Sequence, residues 1–190
     1  MMKIAITGGI GAGKSYVCRA LEQQGIRVYD CDAAAKRLMR NDKALQQALR
    51  ELAGQEVYDA EGNLQKAVLA QFLLQSETNK QAVNDVVHPA VARDFEQSGL
   101  SWLESAILFE SRFDKRTRFD RVVCVTAPEQ VRLQRIMARD GITAEKARAW
   151  ISAQMPQEEM RRRSNYEIVN DGQQDVTEQV DRLLEKLSEK

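Results

Sequence analysis

Near its amino terminus the chain reads Lys3-Ile4-Ala5-Ile6-Thr7 and then Gly8-Gly9-Ile10-Gly11-Ala12-Gly13-Lys14-Ser15. A short β-branched run is broken by glycines, and apolar residues resume at helical spacing from Val17 to Leu21. That is the G-x-x-x-x-G-K-[ST] phosphate loop in the strand–loop–helix setting the motif requires. The chemistry explains the spelling. Glycines let the backbone turn tightly and aim successive N–H groups at phosphate oxygens, and the following helix offers its unsatisfied N–H groups and positive dipole end. Lys14 is expected to reach the β- and γ-phosphates, and the Ser15 hydroxyl to ligate Mg²⁺. The motif predicts binding of a nucleoside triphosphate.

Phosphoryl transfer also needs a group that accepts the nucleophile's proton and cations at the transferring oxygens. Asp30 and Asp32 flank Cys31 where a second short strand, Ile26 to Tyr29, ends. Ligands of open parallel sheets bind beyond the carboxyl ends of the strands, so both aspartates are expected in the crevice. Asp32, expected on the same extended side as Asp30, is the candidate base. The competing role is capping of the helix that starts near Ala33, and Asp30 suits it. Arg135 and Arg139 are four apart and share a helix face. They suit a mobile lid, with solvated surface arginines as the alternative. Arg161-Arg162-Arg163 reads as solvated lid surface. Glu104 falls on a predicted strand where phosphate-loop proteins often carry an acid near Mg²⁺. His88 is the only histidine, and Pro89 after it biases it away from helix.

The elements that must position these groups follow in order. A helix runs to about Gln24, and from Ala33 to about Gln97 the pattern is almost all helical. A turn is expected at Asp59 to Asn63 and an interruption at His88-Pro89. Strand character returns at Leu100 to Leu108, at Arg121 to Thr126 and at Tyr166 to Val169. Helices are expected over Gln130 to Arg139, Thr143 to Met155 and Val176 to Leu187. The chain has 190 residues, 28 basic against 28 acidic, and no basic stripe, which argues against nucleic acid as a partner. No apolar run approaches the ~20 residues of a membrane span. The first strand leaves no room for a leader, and the three cysteines lack metal-ligand spacing, so a cytoplasmic location with reduced thiols is expected.

Taken together, these residues resemble the dephospho-coenzyme A kinase family along nearly the whole chain. The resemblance is carried by Thr7 to Ser15, Asp30-Cys31-Asp32, the turn Asp59 to Leu64, His88-Pro89 and Leu108-Phe109-Glu110. Arg135 with Arg139, Gln154 and Asn170-Asp171-Gly172 complete it. It implies an α/β, three-layer phosphate-loop kinase with a parallel sheet of about five strands. The core would comprise residues 1–32, 99–128 and 164–190, with a helical coenzyme A subdomain over 33–98 and a lid over 129–163. The implied reaction moves the ATP γ-phosphate to the ribose 3′-hydroxyl of dephospho-coenzyme A, with Mg²⁺. Asp32 would be the base, and Lys14 with Arg139 the cations at the transferring group. Gly9, Gly11, Ala12, Gly13, Lys14, Ser15 and Tyr16 would hold ATP phosphates, with Arg135 and Asn170 by the nucleotide. Thr7, Asp32, Lys36, Lys66, His88, Leu108 and Glu110 would lie on the acceptor side. The partners are thus small molecules, with oligomeric state left open.

The chain departs from the family pattern at several points. Tyr16 replaces a small hydroxyl residue. Lys36 and Lys66 replace arginines and lose the planar fork. Glu104 and Ala106 replace an aspartate and a proline, Trp150 an arginine, and Ser164-Asn165 an alanine–aspartate pair. These bear on substrate affinity and lid detail rather than on the reaction. Two other readings stay open from the residues: a kinase of the same fold for another alcohol, and a nucleotide-dependent switch. The missing N-K-x-D signature argues against a GTPase.

Overall fold

The computed structural model describes residues 2–189. At its centre is a five-stranded sheet in the order β2-β3-β1-β4-β5. The strands are β1 (Ile4–Thr7), β2 (Val28–Asp30), β3 (Trp102–Glu104), β4 (Arg121–Thr126) and β5 (Tyr166–Val169). β1 pairs in parallel with β3 and β4, and β4 with β5. All four residues of β1 are buried, which is why it reads as an unbroken apolar run rather than an alternation. Parallel neighbours need crossovers, and helices α1 (Lys14–Gln23) and α10 (Val176–Ser188) supply cover for the sheet. Val17, Ala20 and Leu21 of α1 and Val176, Val180 and Leu183 of α10 share one core with Ile4, Ile6, Val123, Val125 and Ile168.

Two compact units emerge, Met1–Tyr29 with Leu100–Lys190, and Asp30–Gly99. The first also holds α6 (Phe113–Arg116), α7 (Glu129–Asp140), α8 (Ala144–Ser152) and α9 (Gln157–Arg162). The second is helical: α2 (Cys31–Asn41), α3 (Lys43–Ala53), α4 (Lys66–Gln75) and α5 (Glu77–Gln97). Within it Arg37 pairs with Asp94 at 2.5 Å, and the Tyr58 hydroxyl donates to the Met39 carbonyl at 2.6 Å.

Three expectations need correction. His88-Pro89 does not interrupt a helix, because α5 continues through Pro89. The lost N–H is tolerated because Val83, Val87, Ala90, Val91 and Phe95 are buried on both sides of the proline. The strand expected over Leu100–Leu108 is three residues long. Trp102, Leu103 and Glu104 pair with Ile4, Ala5 and Ile6, and beyond them Leu108 and Phe109 are buried in turns that lead into α6, which the sequence reading did not foresee. Asp32 does not share an extended side with Asp30. The Asp30 carboxylate accepts from the Ala33 N–H at 2.9 Å, which starts α2 at Cys31 and carries Asp32 into its first turn.

Candidate active site

In a parallel sheet the loops after the strands collect at one edge, beside the point where chain order reverses. Here β1 lies between β3 and β4, so the phosphate loop after β1 is flanked by Glu104 at the end of β3 and α7 after β4. Asn170, just past β5, completes the edge. The loop closes on Gly13, which caps α1 at φ 90° in left-handed geometry. A Cβ there would stand 2.1 Å from Asn170 Nδ2, so only glycine fits for both conformation and space.

Lys14 turns back into the loop. Its Nζ donates to the Gly8 carbonyl at 2.9 Å and lies 3.6 Å from the Glu104 carboxylate. Burial lowers the ammonium pKa from the ordinary lysine value, and Glu104 partly offsets this. A desolvated cation with one partly shielded carboxylate is poised for an anion, because phosphate oxygens would restore the interactions that burial removed. The Ser15 hydroxyl sits in the first turn of α1 on an exposed residue. Among the described residues no three His, Cys, Asp or Glu side chains form a metal-binding group. The donors present suit Mg²⁺ held mostly by phosphates and water with one or two protein oxygens, namely Ser15 and the nearby Glu104.

Arg135 and Asn170 lock the end of the loop. Arg135 Nη1 donates to the Asn170 carbonyl at 3.0 Å and Nη2 to Asn170 Oδ1 at 3.1 Å, while Asn170 Nδ2 donates to the Ala12 carbonyl at 3.1 Å. Beside them opens a cleft of about 520 Å³ whose lining includes Gly13, Ser15, Tyr16, Arg19, Arg135 and Asn170. That volume falls in the range of small-molecule sites. Tyr16, half exposed, lines it with the Arg19 guanidinium 5.7 Å from its ring centroid.

Arg139 is not gathered with Arg135. It is exposed and forks onto its neighbour Asp140, with Nη2 2.7 Å from Oδ2. The arginine drawn to the loop instead is Arg132, 5% exposed, whose Nε donates to the Ile10 carbonyl at 2.8 Å. Gln154 accepts from the Ile10 N–H at 2.7 Å. The sequence reading gave neither residue a role. The available signal was the spacing of Arg132, Arg135 and Arg139, which puts all three on one stripe.

Several acceptor-side residues sit otherwise than expected. Thr7 and Leu108 have no exposed surface, so in this conformation they pack beneath the site and present no atom to a ligand. The Thr7 hydroxyl has no hydrogen-bond partner among the described residues. Glu110 is exposed and accepts from the Met155 N–H at 3.0 Å, which ties the segment after β3 to the turn after α8. In the helical unit Asp32 and Lys36 are exposed and paired with each other one turn apart on α2. Lys66 begins α4 on the surface, and His88 is half-buried on α5.

Residues 2–175 match the family model of dephospho-CoA kinase. Dephospho-CoA kinase of Bacteroides fragilis (strain YCH46) is 37% identical over 196 residues, covering 100% of this chain and 94% of that protein. Its counterpart in Porphyromonas gingivalis (strain ATCC BAA-308 / W83) is 38% identical over 197 residues, covering 100% and 96%. Among solved structures, TT1252 from Thermus thermophilus superimposes with a TM-score of 0.82 at 33% identity, over 98% of this chain and 97% of that one.

Proposed function

Because the chain belongs to the dephospho-CoA kinase family, we propose that it transfers the γ-phosphoryl group of ATP to the ribose 3′-hydroxyl of dephospho-coenzyme A, the last step of coenzyme A biosynthesis. The observation that carries the reading is the family match over residues 2–175. The lysine-bearing phosphate loop beside an open cleft supports it.

In the reaction the 3′-hydroxyl oxygen forms a bond to the γ-phosphorus, the bond to the β–γ bridging oxygen breaks, and ADP leaves. The hydroxyl proton passes to the Asp32 carboxylate, whose exposed pairing with Lys36 is weak enough to exchange for a substrate. The loop N–H groups and Lys14 stabilise charge on the transferring oxygens, and Arg139 joins them once it leaves Asp140. Arg135 and Asn170 hold the nucleotide end of the cleft. Ser15 would hold the Mg²⁺ that accompanies ATP, and the ion would supply charge neutralisation at the phosphates. Lys36, Lys66, His88 and Glu110 orient the acceptor. A cytoplasmic location belongs to the same proposal, and the three scattered cysteines Cys18, Cys31 and Cys124 suit a reducing compartment.

The test is ADP release from ATP and Mg²⁺ with and without dephospho-coenzyme A, with the product identified by mass. Strong acceptor dependence and a product heavier by one phosphoryl group at the 3′ position are expected. Phosphorylation of a nucleoside with dephospho-coenzyme A untouched would overturn the reading.

A further inference from the structure

Both backbone polar groups of Ile10 are taken by side chains from outside the phosphate loop. Gln154, in the turn after α8, accepts from its N–H at 2.7 Å, and Arg132 Nε on α7 donates to its carbonyl at 2.8 Å. The Ile10 side chain packs against the cluster of Leu133, Ile136 and Ala147, so the same two helices grip the residue through its apolar part as well. The fit extends to the glycines on either side. A Cβ on Gly9 would stand 2.4 Å from Arg132 Nη2, and one on Gly11 would stand 2.8 Å from the Arg132 carbonyl oxygen. Arg132 is thus wedged along residues 9–11, and burial lowers its pKa without any role in the proposed chemistry.

We propose that Arg132 and Gln154 are positioning residues that clamp the backbone on both sides of Ile10 and so fix the phosphate loop in its anion-binding shape before ATP arrives. The loop's value lies in N–H groups aimed beforehand, since a cradle that had to reorganise would lose affinity to the ordering cost. The clamp supplies that order from α7 and the α8–α9 turn, the segment that carries Arg135 and Arg139. Any movement of that segment is therefore transmitted to the loop through the two peptide groups that flank Ile10, and through Arg135, whose Nη1 donates to the Gly11 and Ala12 carbonyls at 3.4 Å. The inference rests on ATP as the ligand of this loop.

The test compares Arg132→Met, Arg132→Gln and Gln154→Met in the full chain. Glutamine places an N–H donor as many bonds from the backbone as the arginine Nε, whereas methionine keeps similar bulk without a donor. We expect Kd for ATP, measured without acceptor, to rise about tenfold in Arg132→Met and in Gln154→Met, the loss of about one hydrogen bond. Arg132→Gln should recover most of that loss, and KM for the acceptor should stay within about twofold in all three. In Gln154→Met the Ile10 amide should exchange its hydrogen faster while the β1 amides do not. A lower Tm with unchanged ATP affinity well below that Tm would mean that the pair is merely structural and would overturn the proposal. So would equal losses in Arg132→Gln and Arg132→Met. Failure of the wild-type chain to phosphorylate dephospho-coenzyme A would sink the proposed function but leave this comparison of ATP affinities intact.

Discussion

Replacing Gly13 by alanine tests the loop end at its tightest point. The residue sits at φ 90°, and a Cβ would meet Asn170 Nδ2 at 2.1 Å, far inside contact distance. Left-handed backbone at a non-glycine residue costs about 1–2 kcal/mol. The Asn170 amide must also withdraw, which breaks its bond to the Ala12 carbonyl and the one it accepts from Arg135. The first is a neutral hydrogen bond worth about 1 kcal/mol, and the second is charge-assisted but half exposed, worth about 1–2 kcal/mol. The expected loss is about 3–5 kcal/mol of unfolding free energy, a large share of the ~5–15 kcal/mol of a typical domain. Urea unfolding with an unchanged slope would read it. Asn170→Ala loses the same two bonds without the clash. In the double variant those bonds are lost only once, so its cost should fall short of the sum by about 2 kcal/mol. A single-variant loss under about 1 kcal/mol, or additivity within about 0.5 kcal/mol, would refute the packing argument.

Asp30→Asn should keep the cap of α2 within a few tenths of a kcal/mol and kcat within about threefold, because asparagine caps as well as aspartate. Asp32→Asn should lower kcat by about 10²–10⁴ with little change in Tm, and equal kcat losses in the two variants would end the assignment of the proton to Asp32 alone. Arg139→Ala should leave stability within about 0.5 kcal/mol, since its pairing with Asp140 is exposed, yet lower kcat by about 10³. A kcat within tenfold of wild type would remove Arg139 from the transferring group. Lys14 gives a pH signature. Its folded pKa lies below the unfolded value of 10.5, so in the window between them the unfolded chain binds more protons and the Lys14 contribution to stability rises with pH. Phosphate favours the ammonium form and raises that pKa, so ATP binding should take up protons in this window. Calorimetry in a pH series descending from 10.5, in buffers of different ionisation enthalpy, should show the uptake, and buffer-independent heats throughout would contradict it.

The phosphate loop was legible because its constraints are local: a buried strand, glycines and a helix start all lie within fifteen residues of sequence. The parallel strands and the capping by Asp30 were legible for the same reason. Pro89 was misread because the rule that proline ends a helix concerns one hydrogen bond, whereas five buried side chains around it decide the outcome. The strand over Leu100–Leu108 was overextended because turns that bury Leu108 and Phe109 look, in sequence, like a strand buried on both faces.

The arginine helix shows where pattern gives out and distance takes over. Arg132, Arg135 and Arg139 lie on one stripe, so spacing cannot rank them. Depth along the helix can. α7 starts at Glu129, immediately after the edge where β4 ends, and each residue adds about 1.5 Å. Arg132 therefore lies about 4.5 Å along the axis, within reach of the Ile10 carbonyl, and Arg135 lies about 9 Å along, level with the end of the loop. Arg139 is about 15 Å along, beyond that reach, and Asp140 beside it offers a nearer partner. A role for Arg139 at the transferring phosphoryl thus requires the carboxyl half of α7 to move toward the loop, while Arg132 and Gln154 hold its amino half and the following turn to Ile10. The clamp would then be the fulcrum of that movement. Loosening it should raise KM for ATP, whereas removing Arg139 should lower kcat, and a variant pair that failed to divide in this way would place hinge and charge in the same step.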